Sequence, residues 1–201
     1  MLSLFMSFIY LMIFMSDILV LWNQSLLWDR LFQEYGMSSS SALPDALLSS
    51  YLPPTKLILI PAGFMSEAYT TAATSFTKEK ITGKLIQFVE NGGNLLVFSP
   101  KVNEPASFSW LNLPITFVPK NTVLRKKTHL LDQESFFCDG WFQNTDESCT
   151  IMESDDKGHP IHLAIQKEKG TEKGKIILSS IHEFLSKSYF LSLLNGPKVK
   201  I

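Results

Sequence analysis

The sequence predicts an α/β protein built as a three-layer sandwich around a mostly parallel sheet. Three short runs, Asp17–Trp22, Lys56–Pro61 and Asn94–Phe98, are almost wholly apolar, as strands covered on both faces are. The segments between them carry apolar residues at helical spacing, and this strand–helix alternation belongs to a doubly wound sheet with helices on both faces. At 201 residues the chain suits one domain with a sizeable core.

Taken in order, Asp17–Trp22 reads as the first strand, opened by a polar break. Ser25 can cap the amphipathic segment Leu26–Tyr35, which stops at Gly36. The serine-rich stretch Ser38–Ser41 reads as loop. Ala46–Tyr51 reads as a short helix ended by Pro53-Pro54. Lys56–Pro61 is the second strand, closed by Ala62-Gly63. A helix runs from Thr77 to Val89 with Ile81, Leu85 and Phe88 inward, halts at Gly92-Gly93, and leads into the third strand, Asn94–Phe98. From Trp110 to Thr150, short extended runs broken by Pro114, Pro119 and Gly140 indicate an antiparallel excursion or long loops without a second core. Cys149–Glu153, His159–Lys167 and Gly174–Ser179 read as strands joined by hairpin turns, the first at Asp155–Gly158. Glu183–Leu194 is the closing helix.

Charged residues make up 18% and apolar residues 45%, which excludes a disordered chain. The formal net charge of −1 implies no basic face for a nucleic-acid backbone, and Arg125-Lys126-Lys127 reads as a solvated turn. Two cysteines, Cys138 and Cys149, lack metal-site spacing and fit the reduced thiols of a cytoplasmic protein.

Residues 1–15 are almost wholly apolar but lack a positive leader region and a small-residue cleavage site. They are a dispensable or over-extended start, an anchor, or a packed helix. A membrane span needs about 20 apolar residues, reached here only by burying Asp17 and continuing to Trp22. Membrane contact through residues 1–22 is therefore one alternative. The domain boundaries follow: an apolar segment over 1–16 and the folded domain over 17–196.

In a parallel sheet the residue just after a strand lies at the edge where chemistry collects. After the strand 94–98 that residue is Ser99, followed by Pro100 and Lys101. Other candidates have plainer readings beside them. His159 and His162 with Asp155 or Asp156 could hold a metal, but a turn histidine and a strand-face histidine explain them, and no metal is expected. Cys138 reads as a packing residue. Trp110, Trp141 and the phenylalanines of 136–142 either wall a ligand site or pack the core.

Several phrases together resemble the class I glutamine amidotransferase-like fold, a flavodoxin-like architecture, and within it the domain at the N-terminus of eukaryotic biotin-protein ligases. They are Leu57-Ile-Leu-Ile-Pro-Ala-Gly63 with Glu67-Ala-Tyr69 behind it, Phe88-Val-Glu-Asn-Gly-Gly-Asn-Leu-Leu-Val-Phe-Ser99, Phe136-Phe-Cys-Asp-Gly-Trp-Phe142, and Gly174-Lys-Ile-Ile-Leu-Ser-Ser-Ile-His-Glu183. The resemblance covers about residues 17–194.

It places Ser99 at the nucleophile position and His182 at the catalytic histidine, with Glu183 as the adjoining acid. Gly63 falls in the oxyanion turn with Tyr69 behind it, and with Trp141 of the aromatic wall these are the candidate ligand-binding residues. The departures weaken that chemistry. A hydroxyl replaces a thiol and needs a base to act as nucleophile. Val97 and Lys101 replace glycines around the elbow, and Glu183 stands one residue after His182 instead of two. No Gly-Arg-Gly-Arg phrase for an activated biotin is present. The expectation is a non-catalytic or cryptic module that binds a small ligand or a protein and needs no cofactor. The alternatives are a serine hydrolase or amidase using Ser99 and His182, and a membrane-tethered accessory protein.

Overall fold

The computed structural model describes residues 16–22, 26–50, 52–66, 78–101, 103–169, 172–182 and 184–201. Its centre is a seven-stranded sheet. Strand β1 (Ile18–Leu21) pairs in parallel with β2 (Ser39–Ala42) on one side and β3 (Leu57–Ile60) on the other. β4 (Asn94–Phe98) continues the parallel array beside β3, and β10 (Glu172–Ser179) lies parallel to β4. The antiparallel strands β9 (Pro160–Lys169) and β8 (Cys149–Ser154) complete the order β2-β1-β3-β4-β10-β9-β8. The molecule is thus mixed α/β with a mostly parallel sheet. A second sheet, β5 (Ala106–Ser107), β6 (Thr116–Leu124) and β7 (Phe136–Gln143), is antiparallel and is the excursion expected between Trp110 and Thr150.

The central strands owe their place to their side chains. Every residue of β1 and β3 is buried, so both faces of these strands are covered. Helix α1 (Leu26–Tyr35) joins β1 to β2, and α2 (Glu79–Glu90) lies between β3 and β4. The two crossovers step in opposite directions along the sheet, and right-handed connections then put the helices on opposite faces. α1 packs on α3 (Lys187–Leu193), with Phe32 and Phe190 ring to ring at 5.1 Å. α2 turns Ile81, Leu85, Phe88 and Val89 into the core.

Four expectations need correction. Ser39–Ala42 is not loop but an edge strand, hydrogen-bonded to β1 although its side chains give no apolar signal. The short helix sits earlier, as a 3₁₀ turn over Pro44–Leu48, where Pro44 pre-sets the first turn. The closing helix is Lys187–Leu193, because Ser186 caps it by accepting from the Tyr189 amide. His182 therefore precedes the helix and does not begin it. Lastly, Ile18–Leu21 is an interior strand of the sheet, paired on both sides and buried, so this part of the apolar stretch 1–22 packs against protein and not lipid. Residues 1–15 lie outside the described residues; among those described, no helix is long and apolar enough to cross a membrane.

Candidate functional site

β3, β4 and β10 run side by side, and the residues following them meet at one edge. The Gly63 amide donates to the carbonyl of Ser99 at 2.8 Å, and the Met65 amide to that of Pro100 at 2.9 Å. Gly63 holds φ at +76°, a conformation that costs glycine little and side-chain-bearing residues more. The turn after β3 is thereby laced to the turn after β4. The Gly63 N–H expected to face a reacting carbonyl is spent on the backbone of Ser99 itself.

Ser99 is 1% exposed. Its hydroxyl donates to Oδ2 of Asp139, a residue of β7, and Oδ1 of the same carboxylate accepts from Nδ1 of His182 at 2.9 Å. Asp139 thus stands between serine and histidine. In a nucleophilic triad the histidine occupies the middle, taking the hydroxyl proton while the acid orients it from behind. Here the hydroxyl faces a carboxylate, a weak base for a serine proton, and no histidine among the described residues bonds to it.

Backbone register fixes this arrangement. The Asp139 amide donates to the Ser180 carbonyl at 2.8 Å and the His182 amide to the Phe137 carbonyl at 2.9 Å, an antiparallel bridge between β7 and the segment leaving β10. Gly140 lets the strands close: a Cβ there would lie 2.1 Å from the Val118 carbonyl oxygen on β6. The Cys138 thiol touches the Ser180 hydroxyl at 2.9 Å and donates to the Gly140 carbonyl at 3.0 Å. Burial pushes that thiol's pKa up despite these hydrogen bonds, so Cys138 is a packing residue and a poor nucleophile.

His182 differs from its partners in exposure, with 57% of its side chain accessible against 5% for Asp139. It borders an open cleft of about 620 Å³ whose other described lining residues are Tyr35, Leu131, Asp132, Gln133 and Phe184. The walls are anchored. Tyr35 donates its hydroxyl to the Leu185 carbonyl at 3.2 Å, Ser186 N–H holds the Leu130 carbonyl at 2.8 Å, and the Phe184 ring rests edge-on against Trp28 at 4.9 Å.

The other candidates fall elsewhere. Trp141 stacks on His159 at 4.7 Å, with Lys120 5.8 Å from its ring centre, and is absent from the described cleft lining. Trp110 packs against Phe64. His159 is tied to Asp155 at 2.9 Å, while His162 is wholly buried against the Tyr189 hydroxyl at 2.6 Å. These two histidines share no metal site, and no group of three or more His, Cys, Asp or Glu suited to a metal occurs among the described residues. Lys101, expected to obstruct the elbow, pairs with Glu104. Tyr69 and Glu183 lie outside the described residues.

Asp139 is the residue that sequence reasoning passed over. Its signal was present: a single charge inside the otherwise apolar and aromatic run Phe136–Phe142. Asp-Gly in such a run suggests a turn, and only the pairing of β7 with the Ser180 segment makes it a site residue.

No protein-family model and no curated protein matches the chain. Solved structures do. The β-galactosidase from Rahnella sp. R3 aligns at TM-score 0.53 and 13% identity, over 90% of this chain and 31% of that one. The mmIFT52 N-terminal domain aligns at TM-score 0.52 and 12% identity, over 90% of this chain and 95% of that one. A GMP synthase-type protein from Thermoplasma acidophilum reaches 0.49 at 12% identity, over 90% and 92% of the two chains, a likeness too weak to carry the fold. This chain spans about a third of the β-galactosidase. At such identities the first two likenesses show a shared α/β fold and nothing of activity.

Proposed function

We propose that this protein is a non-catalytic, amidotransferase-like module related to the N-terminal domain of biotin-protein ligases, and that it binds a small ligand in the cleft beside His182. One observation carries the reading: the Asp139 carboxylate lies between Ser99 and His182. With that order the serine hydroxyl is a buried hydrogen-bond donor, and the histidine is a rigid, exposed group on a cleft of ligand size. The expected oxyanion amide of Gly63 is also engaged, so two requirements of acyl transfer, an activated nucleophile and a free donor pair, are unmet together.

The sequence phrases around Phe88–Ser99 and Gly174–Glu183 support the amidotransferase-like family, as does the sheet order with its ligand edge after β3, β4 and β10. Cys138 and Cys149 form no disulfide in this fold, which suits a cytoplasmic location. The hydrolase alternative needs His182 to replace Asp139 as the partner of Ser99.

The test has two arms. Glutamine and simple amides incubated with the full chain should release no ammonia above background. A small-fragment screen followed by amide chemical shifts should place ligands at His182 and Gln133. Hydrolysis abolished by Ser99→Ala would establish the enzyme reading instead. A screen whose hits all lie away from His182 would remove the binding site.

A further inference from the structure

We infer that the cleft beside His182 selects a small organic cation bearing N–H donors, a primary ammonium or a guanidinium. This rests on the binding reading above and adds the chemistry of the ligand.

The described lining residues divide by chemical character. Asp132 is the only one with a fixed charge, and it is negative; no lysine or arginine is among them. Gln133 supplies an amide oxygen. His182 gives its Nδ1 hydrogen to Asp139, which in the neutral ring leaves Nε2 as an acceptor. Tyr35 and Phe184 add aromatic rings, and a ring face attracts a cation.

Burial raises the Tyr35 hydroxyl pKa, and the charges of Asp132 and then Glu34 raise it further. Glu34 is paired with Arg30 at 3.1 Å, which leaves Asp132 as the carboxylate that marks this wall. A carboxylate or phosphate ligand would meet Asp132 with no lysine or arginine beside it among the described lining residues. An ammonium or guanidinium instead meets a carboxylate, a carbonyl oxygen, an imidazole nitrogen and two rings. The anchored walls reduce the ordering cost of binding.

The ligand must also be small. About 620 Å³ of open space accommodates a compact molecule.

The experiment uses the full chain, isotope-labelled, titrated separately with n-butylammonium, butylguanidinium, butyrate and n-butanol while amide shifts are followed. The two cations should give saturable shifts at Gln133 and His182, and butyrate should give none. Asp132→Asn, at an exposed position that folding tolerates, should weaken cation binding tenfold or more. If butyrate or butanol saturates the same signals as well as the cations do, the cleft binds ligands but the cation inference is wrong. If Asp132→Asn leaves cation affinity unchanged, the assigned counter-charge is wrong and the inference falls. If all four probes are silent, the inference falls, and the binding reading then depends on the fragment screen alone.

Discussion

Asp139 accepts a hydrogen bond from His182 at 2.9 Å across 43 residues of sequence, and the same carboxylate receives the hydroxyl of Ser99. Two side chains are thereby held by one buried acid. Removing the middle member should cost most. Asp139→Ala leaves a 1%-exposed serine hydroxyl without its acceptor, a loss of roughly 2–3 kcal/mol. Ser99→Ala leaves Oδ2 of the buried carboxylate without its donor and should cost roughly 1–2 kcal/mol, and His182→Ala less, because water can reach that exposed position. Urea denaturation of the three variants checks the ranking. Equal losses for Asp139→Ala and His182→Ala would show that the carboxylate is not the shared support.

Restoring a thiol should not restore chemistry. In Ser99→Cys the sulfur would still lie beneath the surface, beside a carboxylate that raises a thiol's pKa. The Gly63 amide would still be bonded to the backbone of residue 99. The variant should therefore release no ammonia from glutamine. Turnover by Ser99→Cys would mean that this edge opens and that one substitution alone had silenced the site.

The backbone closure that makes the site depends on one missing side chain. Gly140→Ala would press a methyl group to 2.1 Å from the Val118 carbonyl oxygen, and backbone cannot yield as a side-chain tip does. β6 and β7 would have to part, at a cost of about 2 kcal/mol or more, and the Asp139–His182 contact would loosen with them. The check is a denaturation midpoint together with the His182 side-chain signals. An unperturbed midpoint would show that the strands separate readily here.

The parallel core was legible because strands covered on both faces must be continuously apolar. Ile18–Leu21, Leu57–Ile60 and Asn94–Phe98 all announced themselves in this way, and Gly36 marked the end of α1. β2 was not legible, since Ser39, Ser40 and Ser41 enter the sheet through backbone hydrogen bonds that carry no side-chain signature. Within the site, Ser99 could be placed from the end of its strand, and His182 through the resemblance of the phrase Gly174–Glu183. Their relation could not, because it is mediated by Asp139 on a strand of the other sheet, reached through pairing between β7 and the Ser180 segment. Local pattern reports burial and period, not which distant strand supplies the third group.

The start of the chain offers a separate test. Asp17 is tied to the Lys198 amine at 3.2 Å and, through its carbonyl, to the Lys56 amide at 2.9 Å, and Ser16 to Ser40 at 2.8 Å. These contacts tie residues 16 and 17 to the sheet and to the end of the chain. A chain beginning at Met15 should fold with a melting temperature within a few degrees of the full chain and remain at least as soluble. Unfolding of that shorter chain would place residues 1–14 in the core. Sedimentation of only the longer chain with membranes, resistant to a salt wash, would favour an anchor.

His162 supplies the sharpest pH dependence. It is wholly buried, its Nε2 meets the Tyr189 hydroxyl, and its Nδ1 has no partner among the described residues. Burial, with a smaller contribution from the charge of His129, pushes its pKa down from 6.5 to about 3. The folded state therefore binds fewer protons than the unfolded state at every pH between those values. By linkage, this group's contribution to stability is full above about pH 6.5 and is lost progressively as pH falls towards 3. At full protonation the loss would be roughly 5 kcal/mol, at about 1.36 kcal/mol per pKa unit. His162→Gln keeps a polar contact for Tyr189 but cannot titrate. It should be less stable than the parent at pH 7.5, yet lose clearly less stability between pH 7 and pH 4.5. Denaturation midpoints for both chains across that interval decide the matter: parallel curves would show that His162 is reached by water or protons in the folded state.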